Sequence, residues 1–209
     1  MTALAGGTSI SVAARKRELR AQLRQARRQL SRAERATAAR RACRHLLDRR
    51  LGGLRRIGAY LSTPSEIDTD PLLAALHARG CEIYMPVVVA GRPLSFVRHW
   101  PGARSQRSPL SVRQPALRRP RRAASDLDCV IVPLLGFDRR GGRIGMGAGF
   151  YDRTFASRKR SRPLLLGYAF AVQECEMIPR DAWDVHLDAV VTERGFLRMP
   201  EREAAWRTG

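Results

Sequence analysis

Straight after the nearly uninterrupted apolar stretch Leu127 to Leu135 comes a run able to handle an anion: Gly136-Phe137-Asp138-Arg139-Arg140-Gly141-Gly142-Arg143-Ile144-Gly145-Met146-Gly147-Ala148-Gly149-Phe150-Tyr151-Asp152-Arg153. Glycines at alternate positions, 145, 147 and 149, remove side chains, so backbone N–H groups can come close to a charged oxygen. A helix expected to start near Gly149 adds its first-turn N–H groups and its dipole. The expected occupant is a phosphate. The run is neither G-x-G-x-x-G nor the Walker sequence, because no lysine and hydroxyl pair follows the last glycine. Alternating glycines alone fit a ligand-free strand-to-helix turn equally well. The neighbours favour a site: Tyr151 supplies an aromatic, Asp152 a carboxylate, and Arg143 and Arg153 cations.

Such a loop must be held by a sheet, and the chain has the pattern for one. Arg56 to Leu61 is a short apolar strand leading into the polar loop Ser62 to Asp68. Thr69 or Asp70 then caps a helix with Pro71 in its first turn, Gly80 closes it, and Cys81 to Val89 reads as a strand. Strand, helix and strand at this spacing predict a parallel crossover. Leu94 to Trp100 is a further strand, Pro101 to Ser125 an arginine- and proline-rich surface excursion, and Leu127 to Leu135 a central strand buried on both faces. Pro163 to Phe170 and Leu187 to Thr192 repeat that buried pattern, with helical segments expected between them. Ahead of the sheet, Leu19, Leu23, Ala26 and Leu30 recur at helical spacing on a very basic segment, Val12 to Leu30. Ser31 and Glu34 form a capping-box signature for a second helix, Arg32 to Arg50. The expected fold is α/β: one three-layer α/β/α domain over 12–200, with a mostly parallel central sheet and a basic N-terminal helical segment. Residues 1–11 are expected to be disordered, and 201–209 to form a tail.

A chain of 209 residues with 44% hydrophobic and 28% charged residues suits one compact globular domain. Its 39 basic and 19 acidic residues leave a net charge of +20, almost all of it arginine, since Lys16 and Lys159 are the only lysines. That field attracts phosphates, nucleotides, polyanionic folates and RNA alike. The arginines are scattered and aromatics are only 6%, whereas a dedicated nucleic-acid binder more often shows a confined basic patch interleaved with aromatics. Cys43, Cys81, Cys129 and Cys175 have neither zinc-site nor disulfide-framework spacing, and His45, His77, His99 and His186 have no metal-like spacing. Apolar runs fall short of a membrane span, and the expected location is the cytoplasm.

The run Pro133 to Arg153 closely resembles the hallmark of the 5-formyltetrahydrofolate cyclo-ligase family, also called methenyltetrahydrofolate synthetase, P-L-x-x-F-D-x-x-G-x-R-L-G-x-G-x-G-[FY]-Y-D-R. Ile144 is its one conservative exchange. The resemblance extends over Lys16 to Ser31, Ala59 to Gly80 and Trp183 to Gly195. It implies ATP contacts from Lys16 and Arg20 and from Arg143, Ile144, Gly145, Met146, Gly147, Ala148, Gly149, Phe150 and Tyr151. Folate contacts are implied at Leu61 and Glu66, in the loop Tyr60 to Thr69, and at Met146, Gly147, Ala148, Gly149 and Phe150. Magnesium is implied at Asp152 and Asp188, in keeping with the one or two carboxylates Mg²⁺ takes beside phosphates and water. One departure is Leu110, in Leu110-Ser111-Val112-Arg113-Gln114-Pro115, where the family often carries an aromatic able to stack on ligand.

Each assignment has a structural counterpart. Lys16 and Arg20 are at minimum solvated helix charges, Glu66 a carboxylate near a helix start, Asp152 a partner for a nearby arginine, and Asp188 a turn residue. For Lys16 the scarcity of lysine in this chain favours the functional reading. The implied reaction is phosphorylation of the formyl oxygen of 5-formyltetrahydrofolate by the γ-phosphate of ATP. The nitrogen at position 10 then closes the ring to 5,10-methenyltetrahydrofolate, and ADP and phosphate are released. This chemistry needs positioning and charge neutralisation more than a protein nucleophile, and no general base is assigned. The protein is expected to act as a monomer on a small molecule, with no membrane partner and at most non-specific nucleic-acid binding. The chief rival is a non-catalytic RNA-binding protein on the same scaffold, motivated by the charge. A ligase for another formamide-like substrate is the second, and Glu66 separates it from the folate enzyme.

Overall fold

The computed structural model describes residues 11–49, 53–108, 113–115, 120–158 and 162–200. The expectations for residues 1–10, for Leu110 and for the tail at 201–209 lie outside the described residues. Helix α1 (Val12–Gln29) is capped by Ser11, whose hydroxyl accepts from the Ala14 N–H at 3.2 Å. Helix α2 (Arg32–Asp48) begins with the predicted capping box: Ser31 Oγ accepts from Glu34 N at 3.2 Å, and Glu34 Oε2 from Ser31 N at 2.8 Å. Strand β1 (Arg56–Gly58), helix α3 (Asp70–Ala78) and strand β2 (Glu82–Val87) form the expected parallel crossover. Thr69 stands at the N-cap of α3 without capping it. Its hydroxyl instead donates to the Tyr60 carbonyl at 3.0 Å and meets Ser62 N at 3.3 Å, stapling the ends of the loop after β1.

Strand β3 (Ser95–His99) returns antiparallel to β2. The arginine-rich excursion is more ordered than its sequence suggests. It contains a hairpin of β4 (Ser105–Arg107) and β5 (Arg113–Pro115) and an edge strand β6 (Arg121–Arg122) paired with β3. The buried Gln114 side chain anchors the hairpin by accepting from Val88 N at 2.9 Å. Strands β7 (Cys129–Val132), β10 (Leu164–Tyr168) and β11 (Ala189–Thr192) continue the parallel sheet, and β12 (Gly195–Arg198) adds an antiparallel edge. Between β7 and β10 lie the hairpin β8 (Gly136–Phe137) with β9 (Arg143–Ile144) and the short helix α4 (Phe150–Phe155).

The main sheet runs β12-β11-β10-β7-β1-β2-β3-β6, parallel from β11 to β2. One face packs on α2 and α3 through Ile57, Ile83, Met85, Ile131, Leu166 and Val191. The other packs Phe96, Val130, Val132, Leu165 and Val190 against Phe155 of α4 and the irregular segments at Val185 and Met199. The helix expected between β10 and β11 does not form. Only a 3₁₀ turn, Ala171–Gln173, follows β10, because α1 and α2 already cover that region and Pro179, Asp181 and Asp184 interrupt any apolar period. Among the described residues no helix is long and apolar enough to cross a membrane, and all four cysteines are free thiols.

Strand order fixes where a ligand goes. From β1 the chain steps to β2 on one side, while β7, β10 and β11 build out on the other. The switch point therefore lies between β1 and β7, and open α/β sheets bind ligands in the crevice outside the carboxyl ends of such strands. The loop after β1 is Ala59 to Thr69, and the segment after β7 is the glycine-rich run.

The turn between β8 and β9 is built on Asp138, whose carboxylate is fully buried. It accepts from Arg140 N at 2.9 Å, Gly142 N at 2.8 Å, Ile178 N at 3.0 Å and Arg180 Nη2 at 3.2 Å. A Cβ at Gly142 would lie 2.5 Å from Asp138 Oδ2. Gly142→Ala is accordingly expected to lower stability by roughly 1–3 kcal/mol through forced displacement of this hub. The urea unfolding midpoint measures it, and an unchanged midpoint would show that the turn relaxes freely.

Candidate active site

Helix α1 lies against the hairpin rather than on the sheet. Leu23 packs with Leu135, Ile144 and Ile178, and the row Lys16, Arg20, Leu23 and Arg27 occupies one helical face. Arg20 Nε donates to the Gly145 carbonyl at 3.0 Å, and its Cζ is 3.7 Å from where a Cβ would stand on Gly147. Gly147 and Gly149 have φ of +106° and +66°, which a side chain would strain. From the far side Arg153 Nη2 donates to the Ala148 carbonyl at 2.8 Å. Arg143, buried, has Nη1 3.3 Å from the Cβ position of Gly145. Three guanidiniums thus surround the glycine loop, whose Met146, Gly147 and Ala148 are exposed. Helix α4 starts at Phe150, as expected, but has only six residues, so the cations contribute more attraction here than a macrodipole does.

Asp152 is fixed in the first turn of α4. Its Oδ1 accepts from Arg143 Nη2 at 2.6 Å and from Val185 N at 3.1 Å. Arg143 also lies over the Tyr151 ring, 5.8 Å from its centroid. The Lys16 ammonium is held by Asp181 Oδ2 at 2.7 Å and by Asp184 Oδ2. Burial alone would lower the Lys16 pKa, but the bonds from Asp181 and Asp184 outweigh it and the net shift is upward. Arg20 bonds to the loop, and Lys16 to Asp181 and Asp184.

The opposite wall is the stapled loop after β1. Glu66 Oε2 accepts from Thr63 N at 2.7 Å, and Leu61 is half-buried. Burial raises the phenol pKa of Tyr60 and of Tyr151, and the Glu66 carboxylate raises both further. The two loops follow β1 and β7, the adjacent strands at the switch point of the sheet. Arg27, absent from the expected residues, also stands there: it is 3% exposed and its Nη2 donates to Ser65 Oγ at 2.8 Å. Its spacing from Lys16 and Arg20 on α1 was the signal that would have found it.

Asp188 departs from expectation. It is fully buried, with Oδ2 accepting from Arg158 Nη1 at 2.5 Å and Leu165 N at 2.7 Å, and Oδ1 from Arg158 Nη2 at 3.3 Å. Those bonds make it a counter-ion of Arg158 in the core of the sheet. Nothing in the sequence couples positions 158 and 188. Among the described residues no three His, Cys, Asp or Glu side chains gather into a metal site. A cation held by one carboxylate and by a nucleotide's phosphates fits Asp152, but a dedicated protein cage does not.

The family model described as 5-formyltetrahydrofolate cyclo-ligase family matches residues 12–193. A 5-formyltetrahydrofolate cyclo-ligase of Escherichia coli (strain K12) is 37% identical over 139 residues, covering 65% of this chain and 76% of its own. One from Mus musculus is 28% identical over 197 residues, covering 88% and 97%. Among solved structures, the 5,10-methenyltetrahydrofolate synthetase of Aquifex aeolicus superposes with a TM-score of 0.71 at 29% identity, over 88% of this chain and 93% of that one.

Proposed function

The chain belongs to the 5-formyltetrahydrofolate cyclo-ligase family, and from that premise we propose that it closes its substrate's ring at the expense of ATP, in the cleft between the loop after β1 and the glycine loop. The reaction is conversion of 5-formyltetrahydrofolate to 5,10-methenyltetrahydrofolate. The observation that carries the siting is the glycine loop flanked by Arg20, Arg143 and Arg153 after β7, the strand that pairs with β1 ahead of the loop carrying Glu66.

In this reading the triphosphate lies along Gly145 to Gly149, where missing side chains admit it and the three guanidiniums neutralise its charge. Tyr151 and Phe150 wall the loop, and Ile144 anchors it in the core. The terminal phosphoryl group passes to the formyl oxygen. The nitrogen at position 10 then adds to that carbon, and the C–O bond breaks as phosphate leaves. The protein's share is to align these atoms and exclude competing water, worth several powers of ten in effective concentration. Glu66 and Leu61 hold the pterin end, the carboxylate accepting from ring N–H groups. Mg²⁺, when bound, offsets phosphate charge, and Asp152 is the residue that would hold it. Lys16 reaches a phosphate only by exchanging Asp181 and Asp184; as folded it fastens the segment that carries Val185 to α1. The cytoplasm is the compartment that suits such a nucleotide-dependent enzyme.

Purified protein given 5-formyltetrahydrofolate, ATP and Mg²⁺ is expected to produce the methenyl chromophore, and omission of ATP or addition of EDTA to stop it. Turnover that persists without nucleotide or in excess chelator would overturn the ATP and magnesium assignments.

A further inference from the structure

Arginine is spread along the whole chain, but acid is not. Between Glu82 and Asp126 the sequence has no aspartate or glutamate, while Arg98, Arg104, Arg107, Arg113, Arg121 and Arg122 of that stretch are all exposed. The fold gathers the stretch at one end of the sheet. Strands β2, β3 and β6 are consecutive there, with β6 outermost, and the β4–β5 hairpin is pinned beside them where Gln114 accepts from Val88 N at 2.9 Å. Strand β6 stands three strands out from β1, about 14 Å at the usual strand spacing, so this flank is separate from the cleft at β1 and β7.

The cations on the flank are ordered but poorly offset. Arg107 and Arg113 stand directly opposite each other across the hairpin, and like charges in such a pair repel, so an anion between them would stabilise it. On β3 and β6, Arg98 and Arg122 share one carboxylate. Arg98 Nη2 is 3.3 Å from Glu82 Oε1, and the Tyr84 hydroxyl donates to Glu82 Oε2 at 2.8 Å and accepts from Arg122 Nε at 3.0 Å. Arg122 also lies over the Tyr84 ring, 5.6 Å from its centroid.

We propose that the flank formed by β3, β6 and the β4–β5 hairpin binds the phosphodiester backbone of RNA, without reading its sequence, as an activity separate from turnover. Cations distributed over two strands and a hairpin suit an extended polyanion, which gains a contact from each of them, whereas a small anion gains one or two. A lipid surface fits less well, because interfacial binding draws on apolar side chains inserted beside the cations. Among the described residues the exposed large apolar ones, Val12, Met146, Val172, Met177 and Trp183, all lie outside the flank.

Arg104, Arg113 and Arg121 are exposed, so replacing them leaves the core intact. The triple variant Arg104→Gln, Arg113→Gln, Arg121→Gln is expected to bind a fluorescein-labelled single-stranded RNA of about 20 nucleotides about ten- to a hundredfold more weakly than wild type at low salt. The slope of log affinity against log salt should become shallower by about two, since each lost phosphate contact removes about 0.7. A control with the same change of charge on the solvent face of α2, Arg40→Gln, Arg41→Gln, Arg44→Gln, should stay within about twofold of wild type. Equal losses in the two triples would show that net charge and not the flank attracts RNA, and would overturn the proposal, as would wild type that does not bind the RNA. Tighter binding to vesicles of phosphatidylcholine and phosphatidylserine than to RNA, lost in the flank triple, would overturn it in favour of a membrane surface. A flank triple with wild-type RNA affinity but a raised KM for both anionic substrates would overturn it in favour of a steering rim. The inference and the catalytic reading fail separately: flank-dependent RNA binding without chromophore formation would uphold the first and remove the second.

Discussion

Asp152→Asn will lower kcat/KM by about a hundredfold or more while the protein stays folded, the scale set by removing one group aimed at the charge of a phosphoryl transfer. The amide oxygen can keep both bonds that Oδ1 accepts, from Arg143 Nη2 and Val185 N. What it cannot supply is the negative charge. Two effects add: a cation beside the phosphates loses its protein anchor, and the buried Arg143 guanidinium loses its counter-ion and is freed to wander from the loop. Chromophore formation under steady-state conditions measures the loss, and a thermal melt verifies folding. An Asp152→Asn enzyme as fast as wild type would reduce this carboxylate to a buttress for Arg143.

Asp188→Ala is expected to cost about 3–5 kcal/mol of stability, because it strands a buried guanidinium. The side chains of Arg158 and Asp188 are 2% and 0% exposed, so water cannot replace the missing partner. The main-chain N–H of Leu165 would also lose its acceptor. Urea unfolding gives the change in free energy, and Arg158→Met combined with Asp188→Leu should recover part of it. The same variant bears on catalysis. Whatever fraction stays folded should still need Mg²⁺ at ordinary concentration; a folded Asp188→Ala protein with sharply weakened magnesium dependence would return Asp188 to the metal.

Strands β1, β2, β7, β10 and β11 were legible because double-sided burial writes continuous apolar runs, and α2 because Ser31 and Glu34 are a local signal with a local consequence. Strand β12 was not, since Gly195–Arg198 is short and half-exposed and pairs only at the sheet edge. The stretch 171–186, between the two buried strands, reads as helical because its sequence contains no mark of the helices that cover the region from elsewhere. In the cleft, the glycine loop and Glu66 were readable from sequence order. The pairing of Asp188 with Arg158, the capture of Lys16 by Asp181 and Asp184, and the placing of Arg27 under Ser65 were not. Each joins residues at least 30 positions apart, which only the folded chain brings together.

The attachment of α1 across the strand ends has a consequence for how the protein is born. Lys16 and the carboxylate of Asp181 that holds it are 165 residues apart. At ribosomal speeds α1 leaves the tunnel on the order of ten seconds before its anchor is synthesised. Until the hairpin of β8 and β9 has been made its leucine face has nothing to rest on, and its row of cations is free to meet the anionic surface of the ribosome that made it. Strands β11 and β12 follow Asp181 in the chain, so the sheet and the seating of α1 are both completed only at the end of synthesis.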